Sequence, residues 1–313
     1  MNRFAALALT SLFALTLAAC GGDKAEEAAT GTMARAELPS TPTGVVDASA
    51  AALQRGDLLA VLKLAVPPAE FERIKQEWET SKAEEQPTEE EKAHFAEMMA
   101  KLTAPDAEQQ LMAEFEPHLA KYDAEMAAQM PLMIGMGRGF AVQAIQENQD
   151  FTPAQKEQAT QTIDAVAKWL GETNFSDRER ARQAVTAAVD AARAVELKTL
   201  DELRALEFEQ MLAKAGIAFT GTKNVLRVYG LDLDQTFDSV SSEVVSEQGD
   251  SATVKVSYQL FGQPLSFQTE MMRVDGRWFG KDTVEQLRKE LDDVEEAAED
   301  ATEAEAAEAP VEG

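Results

Sequence analysis

The side chains of this sequence that could hold a metal ion are methionine thioethers and one histidine. Met126, Met130 and Met133 recur at intervals of four and three residues, and His118 precedes them. Thioethers are soft ligands, so the group would suit Cu(I) or Ag(I). Methionine is also an adaptable core side chain, and Pro131 interrupts the helical spacing. A Met-based metal binder is therefore one alternative hypothesis, and the sequence predicts no other metal or cofactor site.

Hydrolytic chemistry finds few candidate residues. The chain has two histidines and one cysteine. Glu91 and His94 have the Glu-x-x-His spacing of di-iron helical bundles, but no second pair of this kind occurs. Glu91 also ends a run of three glutamates, which is typical of a solvated helix surface. Because no nucleophile, base and orienting group can be assembled, we predict a protein without enzymatic activity.

A glycine-rich segment, residues 135–139, has the look of a phosphate-binding loop. It follows a helical pattern and lacks the Lys-Ser/Thr pair that such loops need, so this interpretation fails. Gly135 and Gly139 lie four residues apart, which predicts that another helix approaches closely at this point. A hairpin that inserts into a membrane or gates a ligand is the alternative.

The only cysteine, Cys20, follows a short leader. One arginine precedes an apolar run from Phe4 to Leu17, and two alanines come directly before Cys20. A basic residue, a short apolar run and small residues at the end are typical of a secretory signal. The run is too short to span a bilayer, which takes about 20 residues. Residues 1–19 are therefore predicted to be a signal peptide.

The tetrapeptide Leu17-Ala18-Ala19-Cys20 resembles the lipobox of bacterial lipoproteins. In that family the cysteine receives a diacylglyceryl group, the signal is cut in front of it, and the new amino terminus is acylated. The resemblance implies that Cys20 is the lipidation site and anchors the chain in a membrane. Glycine rather than aspartate follows Cys20, which in this family implies the outer membrane, with the body facing the periplasm.

Composition limits the classes of partner. The net charge is −27, and aromatic residues make up 6% of the chain. Proteins bind the phosphate backbone of nucleic acids through Lys and Arg, whereas the phosphates would repel this acidic chain. We therefore exclude nucleic acids as partners. With Cys20 carrying lipid, no thiol remains for a disulfide.

Apolar spacing predicts a flexible lipidated tether over residues 20–45, with order beginning near Asp47, and a helical region over residues 46–200. The first helix should carry the apolar residues from Leu53 to Leu64 and stop at Pro67-Pro68. Pro117 and Pro131 should kink or break helices. Gly216 should end one helix before a short helical piece that runs to Gly230. The pairs with capping-box spacing are Thr88 with Glu91, Thr152 with Gln155, Ser176 with Glu179, and Thr199 with Glu202.

The period changes in residues 201–285, which are predicted to be an α+β region. Alternating apolar residues from Ala252 to Leu260 indicate a half-buried strand, and turns are predicted at 247–250, 262–264 and 275–276. Residues 286–313 are predicted to be an acidic helix end followed by a disordered tail. The predicted fold class is α+β, predominantly helical: a helical body followed by a small antiparallel β-meander packed on helices.

Two segments are similar to secreted members of the nuclear-transport-factor-2-like superfamily. One is Ala52-Leu53-Gln54-Arg55-Gly56-Asp57-Leu58-Leu59, and the other is Val274-Asp275-Gly276-Arg277-Trp278. The resemblance implies a helical layer on a curved sheet that encloses a cone-shaped cavity. The long helical stretch between the two segments departs from that pattern. The superfamily contains both enzymes and binding domains, so the resemblance does not decide function.

The sequence therefore predicts a non-enzymatic lipoprotein that faces the periplasm and acts as a binding or scaffolding module at the outer membrane. Its membrane contact is the lipid on Cys20, and its other partner is a protein or a small apolar ligand. The first alternative is a carrier of a small apolar ligand, with a cavity between the meander and helices near Leu226, Val228 and Tyr258. The Cu(I) or Ag(I) binder is the second.

Overall fold

The computed structural model describes residues 39–84, 86–149 and 151–308, with backbone only at residues 84 and 295–308. Within these residues the fold class is the predicted one, a predominantly helical body followed by a small antiparallel sheet. The predicted signal peptide and Cys20 lie outside the described residues.

Among the described residues, the helices of the body follow one another without a strand between them. They are α1 (Pro42–Arg55), α2 (Leu58–Ala65), α3 (Pro68–Glu84), α4 (Glu89–Thr103), α5 (Ala107–Lys121), a π-helical turn (Tyr122–Met126), α6 (Met130–Glu147), α7 (Pro153–Glu172), α8 (Arg178–Val195), α9 (Leu200–Arg204), α10 (Phe208–Val228) and α11 (Leu233–Asp238). The sheet and the last helix follow as β1 (Ser241–Gln248), β2 (Ser251–Leu260), β3 (Gln263–Val274), β4 (Arg277–Gly280) and α12 (Lys281–Glu308).

Three of the predicted capping boxes are confirmed. The Thr88, Thr152 and Thr199 hydroxyls each accept a hydrogen bond from the backbone three residues on, and the side chain at that position returns one. The prediction at Ser176 is wrong. The cap of α8 is Asp177, whose carboxylate accepts from the Arg180 backbone, and Ser176 lies one residue before the cap and donates its hydroxyl proton to Asp123.

The first helix begins earlier than predicted and is shorter. The Thr41 hydroxyl caps it and Pro42 is its first residue, so helix replaces the last residues of the expected tether. Gly56 then ends α1 with a φ of 71°, in the left-handed region that glycine adopts at little cost. The Asp57 carboxylate caps α2 by accepting from the Ala60 backbone. The chain therefore turns between two helices where one was expected.

Two predicted helix breaks are absent. Helix α5 runs through Pro117, and the irregular π-helical turn comes five residues later, whereas Pro131 does mark a helix start. Helix α10 also continues through Gly216. A side chain at Gly216 would overlap the Gly56 carbonyl, and one at Gly221 would overlap Ala191. These glycines allow neighbouring backbones to approach α10, so they do not end it.

The sheet is a meander with strand order β1-β2-β3-β4, and every neighbouring pair is antiparallel. The predicted alternation is confirmed, since Ala252, Val254, Val256, Tyr258 and Leu260 of β2 are all buried. The Asp275-Gly276 turn is confirmed too, with positive φ at both residues. The turn between β2 and β3 lies at Phe261-Gly262 rather than at 262–264, and Pro264 is already paired within β3.

The buried face of the sheet packs on α1 and on neighbouring helices. Val45, Val46 and Leu53 of α1 join the same apolar cluster as Val254 and Val256, which are fully buried. Helix α12 continues to Glu308, so helix occupies most of residues 286–313, where the sequence predicts a helix end followed by a disordered tail. Near its start, Arg288 forms an ion pair with the buried carboxylate of Glu70 in α3, at 2.5 Å.

A buried lysine joins three helices. Lys223 of α10 has a relative exposure of 1%. Its ammonium group donates to the backbone carbonyls of Leu53 and Gln54 at the end of α1, and to the carboxylate of Asp234 in α11 at 2.5 Å. The last carbonyls of a helix have no partner within that helix and carry partial negative charge. Lys223 therefore satisfies the end of α1 and fixes it to α10 and α11.

We expect Lys223→Met to destabilise the fold by about 3 kcal/mol, because it keeps the buried stem but removes the donor to the Gln54 carbonyl and to one oxygen of Asp234. Urea denaturation followed by circular dichroism measures this loss. The matched control is Lys214→Met on the same helix, which removes only the more exposed ion pair with Glu196 and should cost less than about 1 kcal/mol. Equal losses in the two variants would contradict the assignment of Lys223 as the group that clamps the end of α1 to α10 and α11.

Candidate functional site

A crevice of about 450 Å³ opens where α7, the α10–α11 connection and the β2–β3 turn meet. Helix α7 contributes one face, with Ala165, Trp169 and Glu172 at helical intervals of three and four residues. Tyr229 and Gly230 end α10, and Phe261 forms the tip of the β2–β3 turn. The crevice thus lies at one end of the sheet, between elements that are distant in sequence.

Aromatic rings form one wall of the crevice. The rings of Trp169 and Phe261 stack with centroids 5.3 Å apart, and Phe175 packs edge-on against Trp169 at 5.5 Å. Phe175 also lies 5.3 Å from the ring of Tyr229. The Trp169 indole donates a hydrogen bond to the backbone carbonyl of Tyr229 at 2.8 Å, which fixes its orientation. The wall is therefore preorganised.

The β2–β3 turn holds Phe261 in an unusual backbone conformation. Its φ is 53°, and Gly262 follows with a φ of 72°, which is the pattern of a two-residue hairpin turn. Asn, Asp or Gly ordinarily occupies the first of these positions, and a bulky residue there costs on the order of 1–3 kcal/mol. Strain of this kind persists where the surroundings impose it. Here the stack on Trp169 holds Phe261 in place as part of the aromatic wall.

Two cations face the crevice beside this wall. Lys168 and Arg180 both line it and are exposed, and neither side chain forms an ion pair with any carboxylate of the described residues. Asp232 also lines it, but its carboxylate is already used by the Arg227 side chain and the Gln235 backbone. Glu172 is the remaining exposed acid at the rim. In a chain with a net charge of −27, two unpaired cations at one crevice favour an anionic ligand.

The phenol of Tyr229 is held in its neutral form. Burial raises the pKa of the Tyr229 hydroxyl above its ordinary value, and the nearby positive charge of Arg180 opposes part of this rise. A neutral phenol can donate a hydrogen bond to a ligand in the crevice.

The residues proposed for soft-metal binding lie along one connection. His118 is exposed in the last turn of α5, Met126 ends the π-helical turn, and Met130 begins α6. Met133 follows one turn later, with about half of its surface exposed. Among the described residues, no group of three or more His, Cys, Asp or Glu side chains is arranged to hold a metal ion. The carboxylate of Glu91 is used in its capping box with Thr88.

The prediction of a close helix approach at Gly135 and Gly139 is wrong for the described residues. A side chain built at Gly135, Gly137 or Gly139 would meet no atom within 4 Å. Helix α6 packs against α7 through Arg138, which pairs with Asp164 at 2.6 Å, and its opposite face is uncovered.

A hydroxyl–carboxylate cluster lies at the π-helical turn. The buried Ser176 hydroxyl donates to Asp123, and Arg178 pairs with the second oxygen of the same carboxylate. These hydrogen bonds hold the pKa of Asp123 below its ordinary value, with Ser176 as the larger cause. A carboxylate that is ionised and already paired is a weak base. The cluster therefore fastens the turn to the start of α8.

The space between the sheet and the helices is filled by side chains. Tyr258 is buried within the sheet's apolar cluster and packs edge-on against Phe267. Val228 lines a separate open groove of about 630 Å³ between α8 and α10. Tyr258 and Val228, two of the residues proposed for an apolar carrier cavity, therefore lie in different parts of the structure.

We did not predict the aromatic wall from the sequence. The available signal was Phe261-Gly262, because an aromatic residue before glycine in a two-residue turn is unfavourable unless something holds it.

Comparisons of the chain with family models, curated proteins and solved structures find no match. No helix in the described part of the chain combines the length and apolar character needed to cross a membrane.

The raised pKa of Tyr229 predicts a loss of stability in alkali. The unfolded phenol ionises near pH 10, whereas the folded one retains its proton to higher pH. Stability from this group is therefore complete below about pH 10 and falls as the pH rises through the folded-state pKa. Denaturant unfolding at a series of pH values measures the slope, which Tyr229→Phe should reduce. An unchanged slope in that variant would contradict the assignment.

Proposed function

We propose that the protein is a non-enzymatic lipoprotein of the outer membrane that binds an anionic, partly aromatic or apolar ligand in the crevice. The observation that carries the binding proposal is the pairing of a preorganised aromatic wall with the unpaired cations Lys168 and Arg180. The lipoprotein part rests on the resemblance of Leu17–Cys20 to a lipobox.

The wall supports a ligand with a flat or apolar part. Aromatic rings supply large contact areas at little cost in side-chain entropy, and the indole hydrogen bond has already fixed the orientation of Trp169. Phe261 already adopts its strained backbone conformation, so binding does not have to impose that strain. Binding therefore does not have to order this wall.

The polar rim supports an anionic group on the same ligand. Lys168 and Arg180 can each form a charge-assisted hydrogen bond, which is roughly twice as strong as a neutral one. The side-chain amides of Gln259 and Gln263 lie at the sheet end of the crevice and could orient the ligand. A crevice of about 450 Å³ matches the lower part of the size range for small-molecule sites.

The crevice fits this proposal better than it fits the two alternatives. A carrier of an apolar ligand needs an enclosed apolar cavity, whereas the inner face of the sheet is covered by packed side chains. A soft-metal binder needs converging thioethers, whereas Met126, Met130 and Met133 follow one another along one connection that includes exposed positions.

Titration with 8-anilinonaphthalene-1-sulfonate, an aromatic anion, tests the crevice. We expect the double variant Lys168→Gln/Arg180→Gln to bind it on the order of tenfold more weakly or worse, because two charge-assisted contacts are lost. The matched control is Lys121→Gln/Arg182→Gln, which removes two exposed cations from α5 and α8 outside the crevice. Equal weakening in both variants would indicate a general charge effect and contradict the proposed site.

Membrane fractionation of cells that express the chain tests the anchor. We expect the mature protein to sediment with the outer membrane and to carry the mass of the acyl groups. The Cys20→Ser variant should lose this mass and its acyl-dependent retention, because one or more acyl chains provide most of the membrane affinity. An unmodified Cys20 in the native mature protein would contradict the lipoprotein assignment without affecting the crevice.

A further inference from the structure

We propose that the outer face of α6 is a second membrane contact, which lies in the headgroup region of the bilayer that holds the lipid anchor. This inference rests on the proposed lipoprotein function. The surface consists of Leu132, Met133, Met136 and Phe140, and we call it the α6 face.

The α6 face is apolar and lies opposite the packing side of its helix. Leu132, Met136 and Phe140 recur every four residues, which aligns them along one side. Their exposed fractions are 68%, 54% and 68%. The other side contacts α7 through Arg138 and through the Gln146 carbonyl, which accepts from Lys156 at 2.6 Å. The described residues therefore leave an apolar side of α6 in solvent.

The charge pattern of α6 suits a lipid surface better than the rest of the chain does. The protein carries 56 acidic residues, yet none occurs between Glu125 and Glu147. The single charge inside this interval, Arg138, is paired with Asp164. Acidic surfaces are repelled by anionic headgroups. The α6 face is thus a place where this chain can touch a bilayer without bringing a carboxylate to it.

The helix is suited to lie on a membrane rather than to cross it. Helix α6 has 18 residues, and its uncovered side carries large apolar side chains while its other side packs on α7. A helix that exposes one apolar face can immerse that face at the boundary between headgroups and acyl chains. The ion pair of Arg138 with Asp164 of α7 keeps the one charge of α6's apolar interval on the side away from the lipid.

The proposed anchor brings the α6 face within reach of the bilayer. Between Cys20 and the start of α1 at Pro42, the chain can span at most about 75 Å. A domain of this size measures roughly 50 Å across. At full extension the tether is longer than the diameter of a compact domain of this size, so the anchor allows the body to turn different faces toward the membrane to which Cys20 is attached.

A bilayer fits the α6 face better than a second copy of the chain does. A specific protein interface takes about 20–30 residues from each partner, whereas this face offers four large apolar side chains on one isolated helix. Two copies would also bring together two chains that each carry a net charge of −27. A membrane contact has no such size requirement, and it gains from the acyl anchor as a second, independent attachment.

The test uses the mature chain with Cys20→Ser, so that binding does not depend on acylation. Phe140→Trp serves as a reporter, and Phe115→Trp on exposed α5 is the matched control. With phosphatidylcholine vesicles we expect a shift to shorter emission wavelength and quenching by brominated lipid for Phe140→Trp alone. Adding Leu132→Gln/Met136→Gln to the reporter should weaken vesicle binding on the order of tenfold or more.

Three results would overturn the proposal: no vesicle-dependent change for Phe140→Trp, the same change for Phe115→Trp, or a shift that follows protein concentration without vesicles. The last result would assign the face to a second copy. Because Leu132 and Met136 are exposed, their replacement should leave the melting temperature unchanged, which separates lost contact from lost folding. Since Cys20 is replaced in every variant, failure of the anchor assignment leaves this test intact.

Discussion

The interaction on which much of the structure depends is the contact of the Lys223 ammonium with the end of α1. A charge this deeply buried is costly unless all of its hydrogen bonds are made. Lys223 meets this condition with two backbone carbonyls and the Asp234 carboxylate, and Arg227 pairs with the second oxygen of the same carboxylate. The rings of Phe219 and Phe237 lie 5.5 and 6.0 Å from the ammonium and add a weaker cation–π attraction. Lys223 thus holds the first described helix of the helical body, α1, against the last two, α10 and α11.

This clamp also sets the position of the crevice. Helix α1 is the platform for the sheet, since its valines pack into the cluster that contains Val254 and Val256. Helix α10 carries Lys223 and ends at the Tyr229–Gly230 connection, which is one border of the crevice. Because the same lysine fixes α1 and α10, the β2–β3 turn and the end of α10 are held at a constant separation. The stack of Phe261 on Trp169 then closes the arrangement from the side of α7.

The features that could be predicted from sequence are those decided by nearby residues. The capping boxes at Thr88, Thr152 and Thr199 involve a hydroxyl and a side chain three positions apart, and alternation along β2 reflects one buried face. The failures depend on distant partners. The sequence predicts a helix end at Gly216, whereas the structure shows the Gly56 backbone packed against it. It predicts a cap at Ser176, whereas the structure shows the Ser176 hydroxyl donating to Asp123. The crevice belongs to this second class, since its borders come from α7, the end of α10 and the sheet.

Helix α6 illustrates how an unfavourable choice of residues can indicate a contact outside the chain. Three glycines within one exposed helix cost roughly 0.5–1 kcal/mol each relative to alanine, and elsewhere in this protein such glycines permit close packing, as at Gly216 and Gly221. At Gly135, Gly137 and Gly139 the described residues offer no such compensation. The same helix leaves Leu132 and Phe140 in water, although α7 lies on its other side. The glycines weaken the isolated helix, and an external apolar surface would remove the large side chains from water. The body of an anchored protein remains beside such a surface. The proposed lipid on Cys20 would therefore keep the exposed apolar side chains of α6 close to a membrane that can cover them.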